Sequence, residues 1–209
     1  MTPKGTNPQL AYYAVSYNLA EAGCDEAGRG CLAGNVFAAA VILNPSSPIE
    51  GLNDSKKLSP RQRESLRKEI EAKSKAYAIG VASVEEIDQI NILNASFLAM
   101  HRAIESLALS PSFLLIDGNR FTPYKDIPFQ CFIKGDARFQ SIAAASILAK
   151  THRDEYMLNL HKEYPQYEWN NNKGYPTRKH IEAIQKYGLT PYHRKTFTHH
   201  LLVPSLFIT

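Results

Sequence analysis

The sequence predicts an α/β protein: a five-stranded mixed sheet flanked by helices, with a helical region at the C-terminal end. Three observations lead there. Two mostly apolar segments, residues 19–24 and 36–43, stand on either side of a glycine-rich turn at Gly28, Gly30 and Gly34, the pattern of an antiparallel pair. From residue 83 onward helical and strand patterns alternate, which suits β-α-β additions to that pair. The segment Ser141-Ile142-Ala143-Ala144-Ala145-Ser146-Ile147-Leu148-Ala149-Lys150 opens a long helix whose small residues permit close packing on a sheet.

Taken in order, the elements have local reasons. Ser59-Pro60 sets a cap and a first helical position for a charged helix over residues 61–75. Residues 77–82 alternate as a third strand. Ser83 followed by Glu86 is a capping-box pattern that starts a short helix, and a longer amphipathic one follows over 92–107. Phe113-Leu114-Leu115-Ile116 closes on Asp117-Gly118 as an inner strand, and residues 129–133 form a fifth. Residues 177–187 read as a helix and 193–197 as a loop.

With 209 residues, 44% hydrophobic and 21% charged, the chain is expected to form one domain, with a flexible leader over residues 1–16. The formal charge of +4 is compatible with a polyanionic partner without resembling a basic tail. Cys24, Cys31 and Cys131 are too few and too scattered for a disulfide framework and read as buried small hydrophobes. No run approaches the roughly 20 apolar residues needed to cross a bilayer, so a cytoplasmic protein without membrane association is expected, and as a monomer.

The chemistry concentrates at Asp25-Glu26-Ala27-Gly28-Arg29-Gly30. Neighbouring carboxylates repel by about 4 kcal/mol at roughly 4 Å and an effective dielectric of about 20, so a divalent cation or Arg29 should compensate them. In a regular strand the two acids would face opposite sides; both reach one site if the strand ends there, and Ala27-Gly28 supplies an ending. Asp117 and Asp136 also stand at element boundaries, where open α/β sheets present functional groups. Singly, Asp117 suits a turn and Asp136 a helix N-cap. Together, acids without histidine or cysteine company suggest Mg²⁺ or Mn²⁺. Asp154, four residues after Lys150, reads as its salt-bridge partner, and Ser146 and Lys150 read as packing residues of their helix. The glycines depart from a dinucleotide-binding fingerprint, which also requires a helix where a strand follows here.

In order along the chain, Asp25-Glu26-Ala27-Gly28-Arg29-Gly30, Leu52-Asn53-Asp54-Ser55-Lys56-Lys57-Leu58, Glu86-Ile87-Asp88 with Asn91-Ile92-Leu93, Asp117-Gly118, Lys134-Gly135-Asp136, the Ala144–Lys150 helix with Arg153-Asp154, and Lys173-Gly174-Tyr175 closely resemble the motifs of the ribonuclease HII family. The resemblance implies an RNase H-like fold and metal-dependent cleavage of RNA in RNA/DNA hybrids and at single ribonucleotides in duplex DNA. It implies Asp25, Glu26, Asp117 and Asp136 as metal-binding acids, and Gly28, Arg29 and Gly30 as contacts to the ribonucleotide 2′-hydroxyl, with Arg29 then less a counter-ion than a reader. Tyr175 would stack at the RNA-to-DNA junction, and residues 165–209 would complete the substrate groove.

Lys56, Lys57, Lys173, Arg178 and Arg194 look like phosphate contacts, and His193 is a further candidate contact to DNA. The family usually has proline where Cys31 and Asn35 stand and serine where Thr196 stands, which bears on the loop after Gly30 rather than on the chemistry. The related ribonuclease HIII type lacks the Gly-Arg-Gly motif, so Arg29 argues against it. Ser205-Leu206-Phe207 suggests a sliding-clamp tail, but an apolar terminus packed on the domain is the plainer expectation.

Overall fold

A computed structural model describes residues 10–16 and 19–201. Five strands form one sheet in the order β3-β2-β1-β4-β5: β1 (Glu21–Ala27), β2 (Val36–Ile42), β3 (Ala76–Ala82), β4 (Phe113–Asp117) and β5 (Phe129–Phe132). The first three are antiparallel neighbours, and β4 and β5 add in parallel, β4 against β1. β2 is buried along its whole length because helices cover both faces of the sheet, which is why it reads as a continuous apolar run.

On one face lies α2 (Val84–Glu105), over Ala22, Cys24, Ala38 and Ala40. On the other lie α1 (Pro60–Lys73) and the central α3 (Gln140–Glu163), over Ala39 and Val41. The helix starts follow the local chemistry: Ser59 with Gln62 and Ser83 with Glu86 each form a reciprocal capping box. α2 is two helices joined at Asn91, whose backbone sits at φ 65°, ψ 164° and whose side-chain oxygen accepts the Leu93 and Asn94 N–H groups. The predicted short and long helices are these two halves.

α3 approaches β1 so closely that a Cβ on Gly23 would lie 2.2 Å from the Ser141 carbonyl carbon. Gly23→Ala should therefore cost about 3 kcal/mol or more, since the obstacle is backbone on a packed helix. A denaturant midpoint within error of wild type would show that α3 can retreat.

Behind α3 a third cluster around Trp169, Tyr167, Met157 and Ile184 seats α4 (Trp169–Asn172) and α5 (Arg178–Tyr187). Two expectations need correction. The stretch 193–197 is a loop only at His193 and Arg194: α6 (Lys195–Thr198) forms one turn after them, because the Asp88 carboxylate accepts the Lys195 and Thr196 N–H groups at 2.9 and 3.0 Å. The leader, as far as it is described, is pinned: Ala11 bridges to Phe139, and the Glu21 carboxylate accepts the N–H groups of Ala14, Val15 and Ser16. Ser205-Leu206-Phe207 lies outside the described residues. Among the described residues no helix is long and apolar enough to cross a membrane.

Candidate active site

β1 and β4 set the centre of the site. Their parallel pairing ends at Cys24 opposite Ile116, so Asp25 and Asp117 occupy the next level of adjacent strands, where side chains share a face. β1 runs to Ala27, the ending expected at Ala27-Gly28, with Asp25 opposite Ala39 and Glu26 opposite Ala38 on β2. What frees the acids is the end of pairing on the β4 side. Asp25, Glu26 and Asp117 line one cavity of about 380 Å³, together with Gly28, Arg29, Gly30, Lys56 and Tyr175.

Each acid is held differently. Asp25 is buried and receives the Glu26 N–H at 2.7 Å. Asp117 Oδ1 accepts the Gly135 N–H at 2.7 Å, which ties the end of β4 to the turn carrying Asp136. Asp136 is buried in the single 3-10 turn Gly135–Ala137, close enough to Asp117 and Asp54 for mutual repulsion, but it does not line the cavity. It is not a helix cap, since Phe139 holds that position. Glu26 pairs with Arg29 at 3.2 Å, so Arg29 is the counter-ion it was expected to cease to be, while remaining half exposed toward the cavity.

These surroundings raise the carboxyl pKa values. Burial is the largest cause for Asp25, followed by repulsion from Glu26 and Asp117, and holds its carboxyl well above the ordinary range. Burial also raises Glu26 against the pull of Arg29, and raises Asp136, to which Asp117 adds. Among the described residues no three acid, histidine or cysteine side chains already converge as a cage for an ion. The donor set nonetheless fits a hard divalent cation: buried, mutually repelling carboxylates, without sulfur or imidazole, are what such an ion relieves.

The basic candidates divide. Lys56 faces the cavity and lowers both Glu26 and Asp136 through its charge. Lys173 lies in an adjoining groove with Arg63, Arg67 and Lys150, and its Nζ donates to the Asn170 carbonyl. Lys57 borders a separate cavity with Asn53 and Gln140, and Arg178 is an exposed residue of α5 paired with Glu182 at 2.7 Å; neither lines the acid site.

Arg194 contradicts its expected role. It is fully buried, and its guanidinium donates to the carbonyls of Gly28, Arg29 and Gly34 at 2.7–3.0 Å, leaving no face for a phosphate. Burial pushes its pKa down to about 10. His193 is likewise buried, against Trp169 and His180, and cannot touch DNA.

Several contributors escaped the sequence reading. Arg153, also buried, donates to the carbonyls of Ala33, Asn35 and Lys173, so it fastens the glycine loop to the turn before Tyr175. Its side chain fills the space a Cβ on Gly28 would need, 2.1 Å from Nε, and Gly28 has φ +102°. Ser146 and Lys150, read as packing, face the cavity: Ser146 bonds Ser55 at 2.9 Å, and Lys150 pairs with Asp154 at 2.7 Å. That pair is the one expected, and i,i+4 spacing was its signal. The buried arginines gave no signal, since a surface arginine has the same letter.

A mixed five-stranded sheet flanked by helices, with acids at adjacent strand ends, is an RNase H-like fold. The family model for ribonuclease HII matches residues 22–201. The chain is 64% identical over 183 residues to ribonuclease HII of Bacteroides thetaiotaomicron, covering 88% of this chain and 92% of that protein. It is 66% identical over 178 residues to that of Parabacteroides distasonis, covering 85% and 89%. Among solved structures, ribonuclease H2 from Pyrococcus horikoshii superposes with a TM-score of 0.72 at 27% identity, over 87% of this chain and 96% of that one. The Archaeoglobus fulgidus RNase HII, solved in a complex with PCNA, shares the fold at a TM-score of 0.75 and 24% identity, over 89% and 98%. The chain belongs to the ribonuclease HII family, endoribonucleases that hydrolyse RNA in RNA/DNA hybrids with a divalent metal.

Proposed function

We propose that this enzyme incises duplex DNA on the 5′ side of single embedded ribonucleotides as well as RNA in continuous hybrids, leaving a 5′-phosphate and a 3′-hydroxyl. We place that activity in ribonucleotide removal and RNA primer processing, carried out by a cytoplasmic monomer. The observation that carries it is the meeting of Asp25, Glu26 and Asp117 with Gly28-Arg29-Gly30 and Tyr175 around one cavity, so that carboxylates and a sugar-reading loop address the same nucleotide.

In this reading Asp25, Glu26, Asp117 and Asp136 hold Mg²⁺ or Mn²⁺. An ion held by these carboxylates would supply activation of water and stabilisation of the leaving oxygen. The chain supplies the positioning. Gly30 needs no glycine for the protein's own sake, since a Cβ there would meet nothing within 4 Å; a ribose approaching the backbone gives the requirement. Arg29, half exposed beside Glu26, can turn to the 2′-hydroxyl side. Tyr175, 42% exposed with Lys150 Nζ 5.9 Å from its ring centre, offers a face for the deoxynucleotide after the junction. Lys56, Arg63, Lys150 and Lys173 line the cavity and its adjoining groove as cations for the backbone phosphates.

The test is cleavage of a duplex carrying one ribonucleotide, with Mg²⁺, with Mn²⁺ and in chelator. Incision 5′ of the ribonucleotide in either metal and none in chelator is expected. Cleavage of continuous hybrids alone would refute the single-ribonucleotide specificity.

A further inference from the structure

Tyr175 is held by something deeper than its own turn. Its carbonyl accepts the Thr177 N–H at 2.8 Å and is also 2.9 Å from His180 Nδ1, in the first turn of α5. His180 is fully buried. Its other nitrogen, Nε2, is 3.0 Å from Trp169 Nε1 and 3.2 Å from His193 Nε2. His193 Nδ1 in turn lies 2.9 Å from the Thr190 N–H.

Donor-only groups at two points settle where the protons are. An indole N–H can only donate, so His180 Nε2 carries no hydrogen and its single proton sits on Nδ1, aimed at the Tyr175 carbonyl. The Thr190 backbone N–H can only donate, so His193 Nδ1 is the acceptor and its Nε2–H shares the single His180 Nε2 lone pair with the indole N–H as a longer, three-centre bond. Burial keeps both rings neutral by lowering their pKa values, that of His193 to about 3. A proton on the wrong nitrogen would set donor against donor.

The far end of this chain of bonds reaches the glycine loop. His193 bridges to Ala33, and Arg194 beside it clamps the carbonyls of Gly28, Arg29 and Gly34. Leu32 N–H donates to the Gly174 carbonyl at 2.8 Å, next to Tyr175.

We infer that Trp169, His180 and His193 form a tautomer-locked relay that sets the position of Tyr175 relative to the Gly28-Arg29-Gly30 loop, making His180 a positioning residue for recognition of the RNA-to-DNA junction. The inference rests on the reading of Tyr175 as the junction contact. His180 does not touch the substrate. It fixes the backbone from which the Tyr175 ring projects, and its own orientation is dictated by Trp169 on one side and His193 on the other.

Two substitutions separate its two nitrogens. Asn places an amide N–H near the Nδ1 position and keeps the bond to Tyr175; Gln places its amide near Nε2 and keeps the partnership with Trp169 and His193 instead. On a duplex with one embedded ribonucleotide, kcat/KM should fall about tenfold for His180→Gln, the worth of one well-placed hydrogen bond. His180→Asn, which keeps the Tyr175 bond but loses Trp169 and His193 as anchors, should show a smaller loss of about threefold on the same duplex, and both variants should stay within about threefold of wild type on a continuous hybrid. Equal losses for the two variants, or equal losses on the two substrates, would overturn the relay.

Tyr175→Ala, measured alongside, separates the two levels. If it is not selective for the embedded ribonucleotide, the junction reading and the inference fall together; if it is selective and His180→Gln is not, the inference alone falls. Because His180 is buried and its variants could fold poorly, imidazole ¹⁵N shifts of the wild-type protein give an independent check. His180 protonated on Nδ1 and His193 on Nε2 are expected, and any other pairing refutes the lock.

Discussion

Asp25→Asn should reduce cleavage of a ribonucleotide-containing duplex at least about 10³-fold while raising the stability of the metal-free protein. The first effect follows from losing several kcal/mol of charge stabilisation at a buried acid in the centre of the site. The second follows from the same burial. The raised folded pKa means that near neutral pH the native state binds protons more tightly than the unfolded chain does. Stability from this group is therefore full below about pH 4, the unfolded carboxyl value, and is lost as pH rises through the folded one. Asparagine keeps the side-chain oxygen that accepts the Glu26 N–H and removes the charge. In EDTA at pH 8 the variant should melt at least about 3 °C above wild type, the shift for roughly 1 kcal/mol in a chain of this size. The gap should narrow toward pH 4, and adding Mg²⁺ should stabilise wild type and leave the variant nearly unmoved. A variant less stable than wild type at pH 8 would mean that the Asp25 charge is already compensated by the protein.

Arg194→Lys should destabilise the protein by about 3 kcal/mol without changing how binding responds to salt. The guanidinium serves three buried carbonyls in one fork, and a single ammonium cannot reach them all, so at least one is left unpaired. Cleavage should fall because Gly28 and Arg29 lose their moorings. Had Arg194 been a phosphate contact, stability would hold and the slope of log K against log salt would flatten by about 0.9 on removal of its charge. Denaturant melts of the lysine variant and salt titrations of Arg194→Met on a non-cleaved duplex distinguish the two.

The one-dimensional pattern was sufficient for the strands, the capped helices and the acids at their ends, because those are set by contacts within a few residues. Ser59 and Ser83 announce their helices through reciprocal bonds three residues away, and β2 announces its burial by being apolar throughout. Motif order was specific enough to point to the family. The same local logic placed the end of β1 at Ala27-Gly28, where it falls, but had no view of the earlier end of pairing with β4 at Cys24, which is what releases Asp25 and Glu26.

Tertiary structure alone decided which cations face outward. Arg194, His193 and Arg153 have the composition of a nucleic-acid surface and instead lie buried beneath it, because the turn from Gly28 to Asn35 directs its carbonyls inward and buried carbonyls must find donors. Arg29 remained a counter-ion for a related reason: Glu26 is mostly buried, which raises its pKa, and the guanidinium beside it offsets part of that rise. By itself the sequence determined a mixed α/β sheet with acids at its strand ends. Folding determined which basic groups would meet a substrate and which would hold the loop that reads it, since burial is a property of neighbours distant in the chain.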